Sequence, residues 1–201
     1  MLTVGIVVIT CVVSYLALQN PQLFGRLSHR PYTETRLGEY YRLLSSGFVH
    51  GSWMHLAVNM YVLYSFGEIV ERYFFRPSFG STWSNLVFAT FYMSAIVVAN
   101  LGTFFKHRHN PQFASVGASG VTSAIVFMYA MMDPWAMLLF PPVPIIVFAV
   151  LYAVYSSWAS NNRRDNIDHL AHLYGGLYGV AFMFITNPKS MKIFIEGLLP
   201  G

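Results

Sequence analysis

The residue with the most distinctive surroundings for chemistry is Ser119, which lies between Gly117 and Gly120 at the start of an apolar run that continues to Met132. A helix over residues 119–132 is roughly 21 Å long, whereas the apolar core of a bilayer is about 30 Å thick. If the far end of this helix lies at one membrane surface, Ser119 lies about 9 Å below the other. Non-helical backbone at that depth requires a water-filled cavity lined by protein. The run therefore predicts a wet pocket in a membrane with a serine at its floor.

Close helix packing is the alternative explanation for these glycines, because small residues allow membrane helices to approach one another. The nucleophile elbow of soluble hydrolases is excluded, since it requires Gly-x-Ser-x-Gly and residue 121 is valine. Ser119 therefore needs partners elsewhere in the chain before a catalytic role follows.

Candidate partners lie at the starts of two other apolar segments. His55 and Asn59 are four residues apart near the start of one segment, so they share a helix face. His169 and His172 lie near the start of another. With six spans of alternating direction, the starts of the second, fourth and sixth spans lie at one membrane depth, together with Ser119. Polar groups inside a membrane are costly and are candidates for function.

The spacing of glycines in the last span indicates how a histidine could reach Ser119. Gly175 and Gly179 form a small-xxx-small face, and His172 lies on the same face three residues earlier. If this face packs on the helix that carries Ser119 and Gly120, His172 can take the serine proton as a general base. The sequence therefore predicts a Ser–His pair.

Acyl transfer also requires donors for an oxyanion. His55 and Asn59, together with the backbone N–H of Ser119, can supply them. The competing hypothesis is a zinc site that uses four histidines, His50, His55, His169 and His172. No His-Glu-x-x-His is present, and the nearest carboxylate, Asp168, lies at the membrane edge, so we expect no metal. For His50 taken alone we expect a structural role, bonded to a loop carbonyl, and for His169 a structural or surface role.

The composition defines the class of protein. The chain has 201 residues, 55% of them hydrophobic and only 10% charged, which predicts a polytopic all-α membrane protein in one domain over 1–201. The net charge of +4 is spread over the loops, so no nucleic-acid surface is indicated. The single Cys11 excludes internal disulfides. The six predicted spans cover about 2–18, 53–70, 83–105, 119–132, 141–158 and 168–185.

The connection from Gln19 to His50 is unusually long, so we expect it to have structure or function of its own. Its part from Leu37 to Leu44 mixes aromatic, charged and leucine residues, which is typical of a segment in the membrane interface.

The chain resembles the rhomboid family of intramembrane serine proteases over nearly its whole length. The matching segments are His50-Gly-Ser-Trp-Met-His55-Leu-Ala-Val-Asn59, Gly117-Ala-Ser119-Gly120, Ala171-His172-Leu-Tyr-Gly175-Gly-Leu-Tyr-Gly179, Tyr41-Arg42 and Glu71-Arg72. Three spaced motifs in order across six spans make this resemblance specific.

The resemblance implies a six-helix rhomboid-like bundle with an interfacial first loop and a Ser119–His172 dyad that lacks an acidic third member. It implies an oxyanion site from His55, Asn59 and the Ser119 N–H, and a Gly117 that lets the backbone approach the scissile carbonyl. Gly120, Gly175, Gly179 and His50 would support the site. It also implies cleavage of single-span membrane proteins near the outer end of their membrane segment, helped by helix-weakening residues, without a cofactor.

The sequence departs from the family pattern in two respects. Many members carry an aromatic residue four positions after the serine, stacked on the base, whereas here that residue is Ser123. The second is the charge bias. The loops on the site side carry Arg26, Arg30, Arg36, Arg42, Lys106, Arg108, Arg163 and Arg164, and the other side carries Arg72, Arg76, Lys189 and Lys192. The positive-inside tendency therefore argues against the usual outward-facing site.

Two other functions are open at this point. A catalytically silent relative would bind membrane segments and steer their trafficking or degradation, although the intact polar set argues against it. A small channel or transporter would give no reason for a glycine-flanked serine at a helix start. We expect the plasma membrane as the location, with an organelle membrane as the alternative.

Overall fold

The computed structural model describes residues 1–139, 141–163, 165 and 167–199. It is about 79% helical, and within these residues no strand forms beyond isolated bridges such as that between His29 and Ser115. The α-helices are α1 Leu2–Gln19, α2 Pro21–Leu27, α3 Pro31–Leu37, α4 Arg42–Ser45, α5 Trp53–Val70, α6 Arg76–His107, α7 Ser119–Met132, α8 Ile145–Asn162, α9 His169–Thr186 and α10 Lys189–Leu198. A 3₁₀ turn over Ser46–Phe48 follows α4, and a π-helical turn over Glu71–Phe75 joins α5 to α6.

A helix lies on each predicted span. The bounds of α5 and α7 coincide with the predicted 53–70 and 119–132. The start predicted at residue 141 is wrong, because α8 begins only after Pro144, at Ile145. By length and apolar composition, two stretches of the described residues qualify as membrane spans, Leu2–Gln19 and Trp53–His107. The second is interrupted at Gly80, whose backbone is not helical (φ 71°, ψ 171°).

Local chemistry explains where two of the site helices start. The Ser52 hydroxyl accepts a hydrogen bond from the His55 N–H at the start of α5, and the Asp168 carboxylate accepts one from the Ala171 N–H at the start of α9. Both are N-caps, which satisfy N–H groups that have no partner inside the helix. In contrast, α7 begins at Ser119, and the preceding residue, Ala118, provides no side-chain cap.

The α7 helix is the centre of the bundle. Of its 14 residues, all but Ser119, Tyr129 and Met132 are buried, as expected of a helix that is apolar on every side. It packs on α5, α6, α8 and α9. A Cβ built on Gly175 would overlap the carbonyl oxygen of Gly120, and one on Gly179 would overlap that of Ala124. The expected small-residue contact between α9 and the serine helix is therefore present.

The long first connection is folded, as expected. It contains α2, α3, α4 and the 3₁₀ turn. The buried guanidinium of Arg42 donates to the carbonyl oxygens of Gly25 at 2.6 Å and Ser28 at 3.2 Å, and it pairs with Glu39 at 2.6 Å. Arg42, from the Tyr41-Arg42 motif, thus ties this connection together.

The same connection holds the backbone that precedes α7. His29 and Ser115 exchange two backbone hydrogen bonds of 3.0 Å. The Ser46 carbonyl accepts a bond from the Gly117 N–H at 3.0 Å, and the Asn100 amide of α6 donates to the Leu43 carbonyl at 2.8 Å. The first connection therefore positions the chain that enters the serine helix.

The other motif outside the site, Glu71-Arg72, attaches α1 to the rest of the bundle. The buried Glu71 carboxylate accepts hydrogen bonds from the N–H groups of Leu2 at 2.8 Å and Thr3 at 2.9 Å, and from the Thr3 hydroxyl at 2.7 Å. These contacts cap the start of α1 with a charge of the sign that a helix N-terminus favours.

Candidate active site

Ser119 is the first residue of α7 and is half-buried. Because no side chain caps this helix, its first N–H groups have no protein side-chain partner, and they carry the positive end of the helix dipole. The Ser119 carbonyl accepts hydrogen bonds from the hydroxyls of Ser123 at 2.7 Å and Thr122 at 3.1 Å. The Ser123 hydroxyl is thus bonded to its own helix.

The backbone just before the serine has a conformation that glycine alone adopts readily. Gly117 has φ +125°, a region that L side chains rarely enter. A Cβ built there would lie 2.6 Å from Cε1 and 2.8 Å from Nε2 of His55. The His55 ring therefore packs directly on the backbone two residues before Ser119.

His50 holds the next residue of the same loop. Its Nε2 accepts a hydrogen bond from the Ala118 N–H at 3.2 Å, so the ring proton lies on Nδ1 and is donated to the Ser14 hydroxyl at 2.9 Å. That hydroxyl in turn donates to the Phe48 carbonyl at 2.9 Å. The expectation that His50 bonds a loop carbonyl directly is wrong. Its two ring nitrogens bond the Ala118 amide and the Ser14 hydroxyl instead. The Ser14 contact could not be read from spacing.

Asn59 faces the first turn of α7 from the same face of α5 as His55. Its Nδ2 donates to the His55 carbonyl at 2.9 Å, and its Oδ1 accepts from the Thr122 hydroxyl at 3.3 Å. Asn59 is buried and His55 is half-buried. The structure thus brings both predicted oxyanion residues beside the start of the serine helix.

His172 lies on α9 and is only 9% exposed. Ala171, the residue before it, presents its carbonyl oxygen 3.4 Å from the position of a Cβ on Gly120, the residue after Ser119. Ser119 and His172 therefore extend from adjoining turns of two helices whose backbones touch.

The ring that stacks on His172 was not found from the sequence. Tyr152 of α8 lies 5.6 Å from His172 between ring centroids, at an interplanar angle of 24°. One turn further along α8, Tyr155 meets His169 edge-on at 5.4 Å and 87°. The available signal was the three-residue spacing of these tyrosines, which matches the spacing of the two histidines.

His169 is buried, beside the loop that precedes α9. Its Nε2 lies 3.1 Å from an Asp165 carboxylate oxygen. Of the connection between the fifth and sixth predicted spans, Arg164 and Asn166 lie outside the described residues. Within the described part of the chain, no group of three or more His, Cys, Asp or Glu residues could hold a metal ion.

A small polar cavity lies beside the serine. Its volume is about 10 Å³, and Ser46, Asn100, Ser119 and Asp168 contribute to its lining. This is about the room that one water molecule occupies.

Comparison with known proteins gives the family of the chain. A sequence model of the rhomboid domain matches residues 37–189. The chain belongs to the rhomboid family. The match contains α5, α7 and α9 and all of the candidate site residues, and it makes this rhomboid an integral membrane protein.

Curated relatives of this rhomboid come from plants, animals and bacteria. "Rhomboid-like protein 11, chloroplastic" of Arabidopsis thaliana is 28% identical over 74% of this chain and 53% of its own length. "Presenilin-associated rhomboid-like protein, mitochondrial" of Homo sapiens is 28% identical over 70% of this chain and 36% of its own. "Putative rhomboid protease YdcA" of Bacillus subtilis is 24% identical over 77% and 71%. The chain thus spans about half or less of the length of the first two.

Proposed function

We propose that this rhomboid is an intramembrane serine endopeptidase that cleaves membrane segments of single-span proteins through Ser119 and His172. The observation that carries the proposal is the backbone contact between α7 and α9, where Gly120 and Ala171 meet directly beside these two residues. The family match and the protease named among the relatives support it.

In the proposed reaction, His172 takes the proton of the Ser119 hydroxyl while the serine oxygen attacks the scissile carbonyl. The protonated imidazole then gives its proton to the leaving amine, and an acyl-enzyme remains. Water releases the acyl group in a second step that uses the same base. The small polar cavity beside Ser119 could supply that water.

The oxyanion would be stabilised by the Ser119 N–H together with His55 and Asn59. The uncapped start of α7 favours this role, because its N–H groups have no side-chain partner and the helix dipole favours negative charge there. The position of His55 against Gly117 and of Asn59 against Thr122 supports the assignment.

We further propose that the chain forms one six-span domain. The helices on each predicted span support it, although α7 has only 14 residues. The relatives include a chloroplast protein and a mitochondrial protein, which favours an organelle membrane over the plasma membrane.

The test is cleavage of a single-span substrate in liposomes by wild type, Ser119→Ala and His172→Ala, with and without a chelator. We expect turnover by the wild type alone and no effect of the chelator. Ser156→Ala is the matched control, because Ser156 is a buried serine on α8 whose hydroxyl makes no hydrogen bond to the described residues. A wild type that neither cleaves nor reacts with a fluorophosphonate at Ser119 would favour the silent relative, and inhibition by chelator would favour a metal site.

The orientation of the site is tested separately. The Lys106 ammonium donates to the Ser160 carbonyl at 2.5 Å and to Asn161 at 3.1 Å, so the ends of α6 and α8 lie together. We expect the cysteine of Asn161→Cys, in a Cys11→Ser background, to be labelled from the cytosolic side of the membrane, or from the equivalent inner side of an organelle membrane. The distribution of Lys and Arg predicts this result. Labelling from the opposite side alone would support the usual family orientation.

A further inference from the structure

The base proposed for this rhomboid is covered by an aromatic ring from an unexpected helix. Tyr152 lies nearly parallel to His172, at 5.6 Å and 24°. Its ring is held from two other sides, by Phe148 at 5.5 Å and 17° and by Phe127 at 6.4 Å and 64°. A ring that is itself packed on three sides has little freedom, so it presents one fixed surface to the imidazole.

Residue 123 of α7 does not supply the ring that stacks on His172. Ser123 is small, and its hydroxyl is bonded to the Ser119 carbonyl at 2.7 Å within α7. It therefore offers no surface on which an imidazole can stack. Tyr152 approaches His172 from α8, whereas the resemblance to the family would lead one to expect the aromatic ring on α7.

We propose that Tyr152 is the positioning residue of His172 and that it takes over, from α8, the role that an aromatic side chain at residue 123 would have. This inference rests on the proposed function of His172 as the base. The parallel contact restricts rotation of the imidazole, so that the ring keeps the orientation that proton transfer from Ser119 requires. Removal of the ring lets the imidazole adopt unproductive orientations, which lowers the rate of the chemical step.

Simple space-filling is the competing explanation, since Tyr152 also packs on Phe127 and Phe148. The two explanations differ in what restores activity. If Tyr152 only fills space, Tyr152→Leu should be tolerated about as well as Tyr152→Phe. If Tyr152 positions the base, Tyr152→Phe should keep the rate within about twofold, and Tyr152→Leu should lower kcat about tenfold with little change in KM.

An aromatic side chain introduced at residue 123 of α7 gives a stricter test. The double variant Ser123→Tyr with Tyr152→Ala places an aromatic side chain at the other position and removes the one that would collide with it. We expect it to recover most of the kcat that Tyr152→Ala alone loses. Tyr155→Leu is the matched control, because Tyr155 lies one turn along the same helix and contacts His169; its kcat should stay near wild type.

Two readouts separate this proposal from the proposed function. The first is cleavage in liposomes, together with the rate of fluorophosphonate attachment to Ser119. The second needs no catalysis: the ¹³C-labelled His172 ring is observed by NMR in a Ser119→Ala background, where a stacked tyrosine shifts the Cε1–H resonance through its ring current. We expect that shift to persist in Tyr152→Phe and to disappear in Tyr152→Leu.

The outcomes are distinct. Loss of the shift together with the kcat loss in Tyr152→Leu supports the proposal. An unchanged resonance, or equal kcat losses in Tyr152→Leu and Tyr155→Leu, overturns it. If the wild type shows no cleavage and no labelling of Ser119, the proposed function fails, and the NMR comparison still decides whether Tyr152 orients the His172 ring.

Discussion

Replacement of Gly117 by alanine tests the geometry of the site at its tightest point. The added methyl group would lie 2.6 Å from Cε1 and 2.8 Å from Nε2 of His55, well inside van der Waals contact. The residue would also have to keep φ +125°, which costs on the order of 1–3 kcal/mol for a non-glycine residue. The His55 ring or the loop that enters α7 must therefore move.

The two costs act on different quantities. Backbone strain lowers the free energy of unfolding, and for a chain of this size each kcal/mol corresponds to about 2–4 °C in Tm. Displacement of the loop moves Ser119, and a shift of about 1 Å at a reacting atom can lower the rate about a hundredfold. We expect Gly117→Ala to lose about a hundredfold in kcat while Tm falls by only about 2–12 °C.

Gly38→Ala is the matched control for strain without collision. Gly38 also has a positive φ, of 72°, but a Cβ built there meets nothing within 4 Å. It should therefore lose some Tm and little activity. The double variant Gly117→Ala with His55→Ala removes the collision, so its Tm should exceed that of Gly117→Ala, although the oxyanion donor is lost. Near-normal cleavage by Gly117→Ala, or a loss no greater than that of Gly38→Ala, would refute the reasoning.

Three further substitutions test the surroundings of the site. Gly175→Ala places a methyl group onto the Gly120 carbonyl oxygen, so we expect α7 and α9 to separate. Tm should fall by a large amount, and fluorophosphonate labelling of Ser119 should be lost. An unchanged Tm and unchanged labelling would argue against the backbone contact. His50→Ala leaves the Ala118 N–H unpartnered, and we expect about 1–3 kcal/mol lower stability in denaturant unfolding, with no effect if this contact is absent. Glu71→Gln weakens the charged cap of α1 and should speed hydrogen exchange at the start of that helix. We expect the cleavage rate to stay within about twofold, because Glu71 follows the end of α5 that is opposite to His55. A large loss of cleavage would show that the contact between α1 and Glu71 controls the active site.

The sequence by itself determined the helices and the candidate residues, because the signals for both are local. The limits of α5 and α7 coincide with the ends of apolar runs in the sequence. A common membrane depth for His55, Ser119 and His172 stays a prediction that rests on six alternating spans. The predicted start of α8 was too early because three prolines precede the helix. Which residue begins the helix after such a segment depends on how the segment packs, and the sequence does not show this.

Only the tertiary structure decided how the site residues are held. That Tyr152 stacks on His172, that His50 bonds the Ala118 amide, and that Glu71 caps α1 are contacts between segments distant in the chain. Each of these side chains had several partners of suitable chemistry, and residue spacing alone did not select one of them. The selection came from close packing of helices, of which the α7–α9 contact at Gly120 and Gly175 is one example.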